Sequence, residues 1–145
     1  MSAGWYGVAV PRLSIGEIEA LLGDAFPHAS EFAKIVSITD HELIARVAFK
    51  PEFIRPGGSV SGPTMMALAD TAAYYLILAH VGAVPLAVTS SLNIHFLARP
   101  KPGDVEATAR FLRLGRKLAV CAVDVRTAGA EDIVAHATVT YALPA

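Results

Sequence analysis

Asp70 is the residue with the plainest chemical potential in this chain. It sits in an apolar run that reads Met65-Met66-Ala67-Leu68-Ala69 before it and Thr71-Ala72-Ala73-Tyr74-Tyr75-Leu76 after it, and no further Asp, Glu, Lys or Arg occurs until Arg99. Burying an unpaired charge is costly, so such a carboxylate needs partners, a raised pKa or a cleft to face. Two roles fit. It is either a structural carboxylate satisfied by neighbouring hydroxyls or a tyrosine, or a partly desolvated general base or nucleophile.

The second candidate is the turn that leads into the same run, Arg55-Pro56-Gly57-Gly58-Ser59-Val60-Ser61-Gly62-Pro63. Its glycines let the backbone approach a ligand closely, and Pro63 suits the first position of a helix. The first N–H groups of a helix have no intrahelical partner and lie at its positive end. The Gly62 amide can therefore polarise a carbonyl and stabilise a developing oxyanion. Gly62 and Asp70 stand roughly 12 Å apart along the axis at 1.5 Å rise per residue. They cannot act on one atom within one subunit, but a second copy whose Asp70 meets this Gly62 across an interface removes the conflict.

Other chemistry-bearing residues say less. Thr89, Ser91, Asn93 and His95 alternate with Val88, Leu92, Ile94 and Phe96. That spacing predicts a polar row opposite an apolar one, for interface hydrogen bonds or a site wall. His28, His41, His80, His95 and His136 show no metal-ligand spacing, and no Cys/His/Asp cluster does, so no metal is expected. Ser61 has neither a G-x-S-x-G context nor a nearby histidine, which argues against a serine triad. Cys121, between Ala119 and Val123 in a strand-like run, reads as an inert core thiol. Arg113, Arg116 and Lys117 cluster near one turn, and Arg99 and Lys101 near another. They are solvated turn residues or holders of a phosphate-bearing substrate.

The elements that must position these groups follow from periodicity. Ser14 caps a short helix with Ile15, Ile18, Leu21 and Leu22 on one face, which Gly23 is expected to stop. Leu43, Ala45, Val47 and Phe49 alternate with Arg46 and Lys50 as a half-buried strand. From Pro63 to about His80 the chain is apolar nearly all round, the mark of a buried helix, and Gly82 ends it. Strand-like runs follow at about 86–98, 104–114, 117–128 and 132–142, with tight hairpins expected at 114–117 and 128–131. The order predicts an α+β architecture, one curled antiparallel sheet around one long central helix. The first of these strands carries no formal charge before Arg99, so it is either central in the sheet or paired with its twin in a dimer.

Composition narrows the class. The chain has 145 residues, 54% of them hydrophobic, with 12 basic against 13 acidic and a net charge of −1. That predicts one domain, a lead-in and short helix over 1–30 and a core over 40–142, with roughly 70% of the unfolded surface buried. It argues against disorder, nucleic-acid binding and anionic membranes. Mean hydropathy is +0.49, but Gly82 and Pro85 interrupt the uncharged stretch that Asp70 heads, so no membrane span is expected. The surplus must be buried in the fold or against another copy. One cysteine and no basic, apolar leader at Met1–Trp5 predict a reducing, cytoplasmic setting.

The loop Arg55–Pro63, the sequence Leu68-Ala69-Asp70-Thr71-Ala72, and the later Leu92-Asn93-Ile94-His95-Phe96, Arg99-Pro100 and Gly103-Asp104 resemble the PaaI-like branch of hot-dog fold acyl-CoA thioesterases. The resemblance spans about residues 40–142. It implies a hot-dog fold and hydrolysis of an acyl-CoA substrate without a cofactor. Asp70 takes the place of the carboxylate that activates water or attacks directly. Gly62 takes that of the amide that polarises the carbonyl from the other subunit of a homodimer, within a dimer of dimers. Thr89 matches a hydroxyl residue that orients the water, and Arg116 and Lys117 become candidates for the CoA phosphates.

The chain departs from the family where the usual histidine-glycine-glycine reads Ser61-Gly62-Pro63, and where Arg55 holds an asparagine position. Pro63 stiffens the helix start, and Arg55 becomes a cation near the thioester or a partner for a substrate carboxylate. The departures also prompt a second reading, a hot-dog protein that binds CoA esters or a partner without hydrolysis. A dehydratase fits poorly, because its hydration motif is absent. Met65, Met66, Tyr74 and Tyr75 are either core or the lining of a tunnel for the acyl chain.

Overall fold

The apolar run around Asp70 forms α3 (Gly62–Val81), buried on nearly every side, with Gly82 as its C-cap at φ 113°. The computed structural model describes residues 10–26 and 29–145. Most of the lead-in expected over 1–12, including Met1–Trp5, lies outside the described residues, as does His28.

Around α3 curls one antiparallel sheet of six strands: β1 (Lys34–Thr39), β2 (Glu42–Val47), β3 (Val88–Phe96), β4 (Val105–Leu114), β5 (Leu118–Thr127) and β6 (Ala135–Ala142), in spatial order β1-β2-β4-β5-β6-β3. This is the hot-dog arrangement. Small residues make the wrap close. Ala69, Ala72 and Ala73 of α3 share one buried core with Ala107, Ala109, Ala119, Ala135 and Ala137 of the sheet, and with so few large side chains between them helix and sheet pack tightly. The alternating faces of β4, β5 and β6 fall as the periodicity predicts, with Phe111, Cys121, Val123, Val139 and Tyr141 inward.

Three expectations need correction. Gly23 does not stop α1 (Ile15–Ala25), which runs on to a C-cap at Phe26 and is followed by the short α2 (Ala29–Phe32). An exposed Gly that stays out of the left-handed region merely weakens a helix by about 1 kcal/mol. Strand limits were too wide at 86–98 and 132–142. Leu97 and Ala98 both donate to the Val134 carbonyl (2.8 and 3.2 Å), and residues 128–134 form an extended turn rather than a tight hairpin. Of the two placements left open for β3, the central one is excluded: among the described residues it is an edge strand, joined to β6 alone.

α3 is long and apolar enough to cross a membrane, yet 67% of its most apolar window is buried inside the fold. It is the core helix. Cys121 has no exposure, and burial pushes its thiol up from 9.0 to about 12. Burial does the same to Tyr75, from 10.0 to about 12, with the neighbouring Tyr74 and Glu19 adding to it. A group whose folded pKa is raised contributes stability below its unfolded pKa and loses it as pH rises toward the folded one. The urea midpoint is therefore expected to hold steady up to about pH 9 and fall above it. Substituting Cys121 with Ala should delay the onset toward the tyrosine range, and a midpoint that rose above pH 9 would contradict the burial account.

Candidate active site

Asp70 lies two turns into α3, half-buried, at the wall of a cavity of about 380 Å³. Its Oδ1 accepts two hydrogen bonds, from Thr89 Oγ1 at 2.7 Å and from the Tyr141 hydroxyl at 2.8 Å. The same Tyr141 hydroxyl reaches the Asp70 main-chain carbonyl at 3.1 Å. Both kinds of partner weighed for a structural carboxylate are thus present, yet they serve one oxygen. Oδ2 has no hydrogen bond among the described residues.

The bond from Thr89 depends on a β-bulge. β3 pairs with β6 through Val88↔Ala142 and Thr89↔Tyr141, then resumes at Ser91↔Thr140 and Leu92↔Val139. Ser90 is the extra residue. A bulge re-aims a side chain by breaking the period of two, and here it places Thr89 on the helix side together with Leu92, Ile94 and Phe96. The expected row of Thr89 with Ser91, Asn93 and His95 is therefore wrong by one member. Val88 takes that place on the outer face.

The Asp70 cavity is walled by Phe26, Phe32, Tyr74, Tyr75, Ala87 and Tyr141 among others, and among the described residues Asp70 is the one charged residue in its lining. Tyr74 stacks on Tyr141 (centroids 5.9 Å, 26° between planes), meets Phe26 edge-on at 6.1 Å, and donates its hydroxyl to the Pro85 carbonyl at 2.9 Å. Burial, first of several causes, pushes the Tyr141 phenol well above its usual value; the Asp70 charge adds to this and Thr89 opposes it. Tyr141 is therefore a proton donor throughout the neutral range. Of the four side chains weighed for an acyl tunnel, only Tyr74 and Tyr75 line this cavity. Met65 lines a different one, and Met66 is 41% exposed.

That other cavity, about 390 Å³, opens at the N-terminus of α3 and is lined by Arg55, Gly62, Pro63, Phe96 and Arg99 among others. Ser61 caps the helix. Its Oγ accepts the Thr64 N–H at 3.3 Å and its carbonyl the Met65 N–H at 3.2 Å. Pro63 has no N–H, so the Gly62 amide is the one left at this helix start without a hydrogen-bond partner among the described residues. Phe96 presses against it: a Cβ on Gly62 would stand 3.3 Å from the ring. Arg55 opens a tight turn closed by Gly58 N–H to its carbonyl at 3.1 Å, and Gly57 and Gly58 supply the positive φ of 101° and 82° that the turn requires. Among the described residues neither Arg55 nor Arg99 has an ion-pair partner.

One chain therefore does not bring Asp70 and Gly62 together. Their cavities share no residue and flank opposite ends of β3. Arg116 and Lys117 lie exposed in the β4–β5 turn, next to the row Val88–Ala142–Leu118, at the Thr89 end of the sheet. Among the described residues no group of three His, Cys, Asp or Glu side chains is placed to hold a metal. Sequence reasoning missed Tyr141, Phe26 and Phe32 as site residues. Tyr141 carried a usable signal, a phenol on an otherwise small, apolar inward face, where a buried O–H needs an acceptor.

Residues 57–134 match the family model described as the thioesterase superfamily. Among solved structures, a protein from a Silicibacter species, whose own thioesterase function is only proposed, is 34% identical, with 97% of this chain and 99% of that one covered at a TM-score of 0.85. Zebrafish thioesterase superfamily member 2 is 20% identical over 91% and 99% of the two chains (TM-score 0.77). The Escherichia coli PaaI protein, from the phenylacetic acid degradation operon, is 20% identical over 86% and 93% (TM-score 0.70). The last two speak to the fold alone. No curated protein sequence matches this chain.

Proposed function

The chain belongs to the thioesterase superfamily, and on that premise we propose that it hydrolyses acyl-CoA thioesters as a homodimer, pairing Asp70 of one subunit with the Gly62 amide of the other. The observation that carries this reading is the pair of unused groups: a free carboxylate oxygen at an aromatic-walled cavity, and a free helix-start amide at a second cavity.

What supports their union is the open edge of β3. The strand has no charged residue, and Leu86, Val88, Phe96 and Leu97 are 77%, 58%, 49% and 60% exposed around it. An edge this apolar pairs with another strand unless something blunts it. Two β3 strands running antiparallel about a two-fold axis near Leu92 would bring Thr89 of one chain beside His95 and Phe96 of the partner, and so the Asp70 cavity to the partner's Gly62. In the same reading two such dimers pair into a dimer of dimers.

In the reaction so assigned, the partner's Gly62 N–H donates to the thioester carbonyl oxygen. Asp70 Oδ2 takes a proton from water as the water oxygen bonds to the carbonyl carbon. The tetrahedral oxyanion collapses, the C–S bond breaks, and the proton passes from Asp70 to the CoA sulfur. The products are a free acid and CoA. Thr89 holds Oδ1 and so orients the base. Attack by Asp70 itself, through an anhydride that water then opens, is the other route open to the same carboxylate. Among the described residues the Asp70 cavity holds no cation, which suits an uncharged acyl group on that side, while Arg55 enters the shared site from the Gly62 side as a cation near the thioester or a partner for a substrate carboxylate. Ser61 and Pro63 shape the helix start of the Gly62 cavity, and Arg99, which also lines it, serves the anionic CoA portion. Arg116 and Lys117 would approach the same composite site from the other chain. The lone thiol and this substrate class suit the cytoplasm.

Free-thiol detection over a panel of acyl-CoAs tests the activity. Thiol release supports hydrolysis, and binding without release supports the non-catalytic alternative. Light scattering should give at least twice the mass of one chain, and a fully active monomer would overturn the shared site. Replacing Arg116 and Lys117 with Ala is expected to raise KM roughly tenfold and leave kcat within about twofold, as loss of charge-assisted contacts to a non-reacting part of the substrate does. An unchanged KM would remove them from binding.

A further inference from the structure

Tyr141 is the one hydroxyl group at the site that touches Asp70 twice. Its O–H is shared between Asp70 Oδ1 (2.8 Å) and the main-chain carbonyl of the same residue (3.1 Å). Both acceptors belong to Asp70, so rotation about its Cα–Cβ bond would break the arrangement. The phenol itself cannot wander. The residue is 4% exposed, its ring stacks on Tyr74, and it sits between Thr89 of β3 and Ala119 of β5 in the sheet register. Tyr74 is in turn tied to the Pro85 carbonyl at 2.9 Å.

A phenylalanine would fill the same space and stack equally well. A buried hydroxyl that gained nothing would carry a desolvation cost, so the oxygen has a use beyond packing. With Thr89 also on Oδ1 at 2.7 Å, every hydrogen bond to the carboxylate among the described residues goes to one oxygen. The other is left without one, on a residue that lines the cavity.

We infer that Tyr141 is a positioning residue for the hydrolysis: by clamping Oδ1 to the Asp70 carbonyl it fixes the carboxylate in one rotamer and presents Oδ2 alone to water or thioester. This rests on the assignment of Asp70 as base or nucleophile. A reacting carboxylate must be held within a fraction of an ångström of its productive place, and supporting hydrogen bonds to the non-reacting oxygen accomplish that.

The test is Tyr141→Phe beside Asp70→Asn, in the dimer, with thiol release followed at varied substrate concentration. The expected result is a kcat lowered about tenfold or more with a KM within about twofold, the split that loss of orientation at the reacting group produces. A purely structural tyrosine would lower the folded fraction or the melting temperature and leave kcat per folded site at the wild-type value. If Asp70→Asn is inactive while Tyr141→Phe keeps the wild-type kcat, the positioning role is wrong and the catalytic reading survives. If Asp70→Asn keeps full turnover, both are overturned.

Discussion

Asp70→Asn is expected to lower kcat by two orders of magnitude or more while the chain keeps its fold. The substitution is nearly isosteric. The amide oxygen can still accept from Thr89 and Tyr141, which bond to Oδ1 at 2.7 and 2.8 Å, so the local structure has little reason to change. What is lost is the bare second oxygen, replaced by an NH2 that can neither take a proton from water nor attack a carbonyl. Loss of a general base costs about 10²–10⁴ in rate. Steady-state thiol release gives the kcat, and a urea melt checks the fold. An Asn variant that turns over like the parent would take Asp70 out of the reaction.

Gly62→Pro carries the second large effect, because it removes the amide hydrogen without demanding a new backbone. Ser61 already has φ −69° and ψ 151°, the extended conformation that a residue before proline adopts, and proline is tolerated at the first helical position. The added carbons crowd Phe96, so Gly62→Ala, which keeps the N–H and adds the same Cβ, separates crowding from chemistry. Removing one oxyanion donor is expected to cost about 10²–10³ in kcat, with the Ala variant far milder. Mixing dissociated Asp70→Asn and Gly62→Pro chains and letting them reassociate adds a test of geometry. A site shared between subunits leaves one intact site in each mixed dimer, so about a quarter of the wild-type activity should return. No recovery after verified exchange would place both groups' work within one chain, contrary to the shared-site proposal.

The sequence made the fold legible wherever a single period ran uninterrupted. The all-apolar helix from Pro63 and the alternating runs of β4, β5 and β6 were readable because each has one face or all faces buried in a simple order. β1 escaped notice for a physical reason. Its pairing with β2 shifts between Ile35 and Ser37, which leaves Val36 44% exposed and breaks the alternation. The turn that follows bends at His41, a non-glycine residue at φ 54°, so it lacks the usual punctuation. At the site, Asp70 and Gly62 stood out because each contradicts its surroundings, a charge in an apolar helix and a flexible residue at a helix start. Thr89 was singled out but assigned to the wrong face. Tyr141 and Phe26 come from elements distant in sequence, and only the sheet register and the end of α1 reveal that they border the same cavity.

Ser90 gives β3 two regimes in one strand. Downstream of it, from Ser91 to Phe96, the alternation obeys the requirements of the sheet and its exposed edge; upstream, Val88 and Thr89 run half a period out of step with it. Deleting that single residue would leave every side chain chemically intact and yet swing the Thr89 hydroxyl to the far side of the sheet. The carboxylate would then lose a contact through a change in phase rather than in composition.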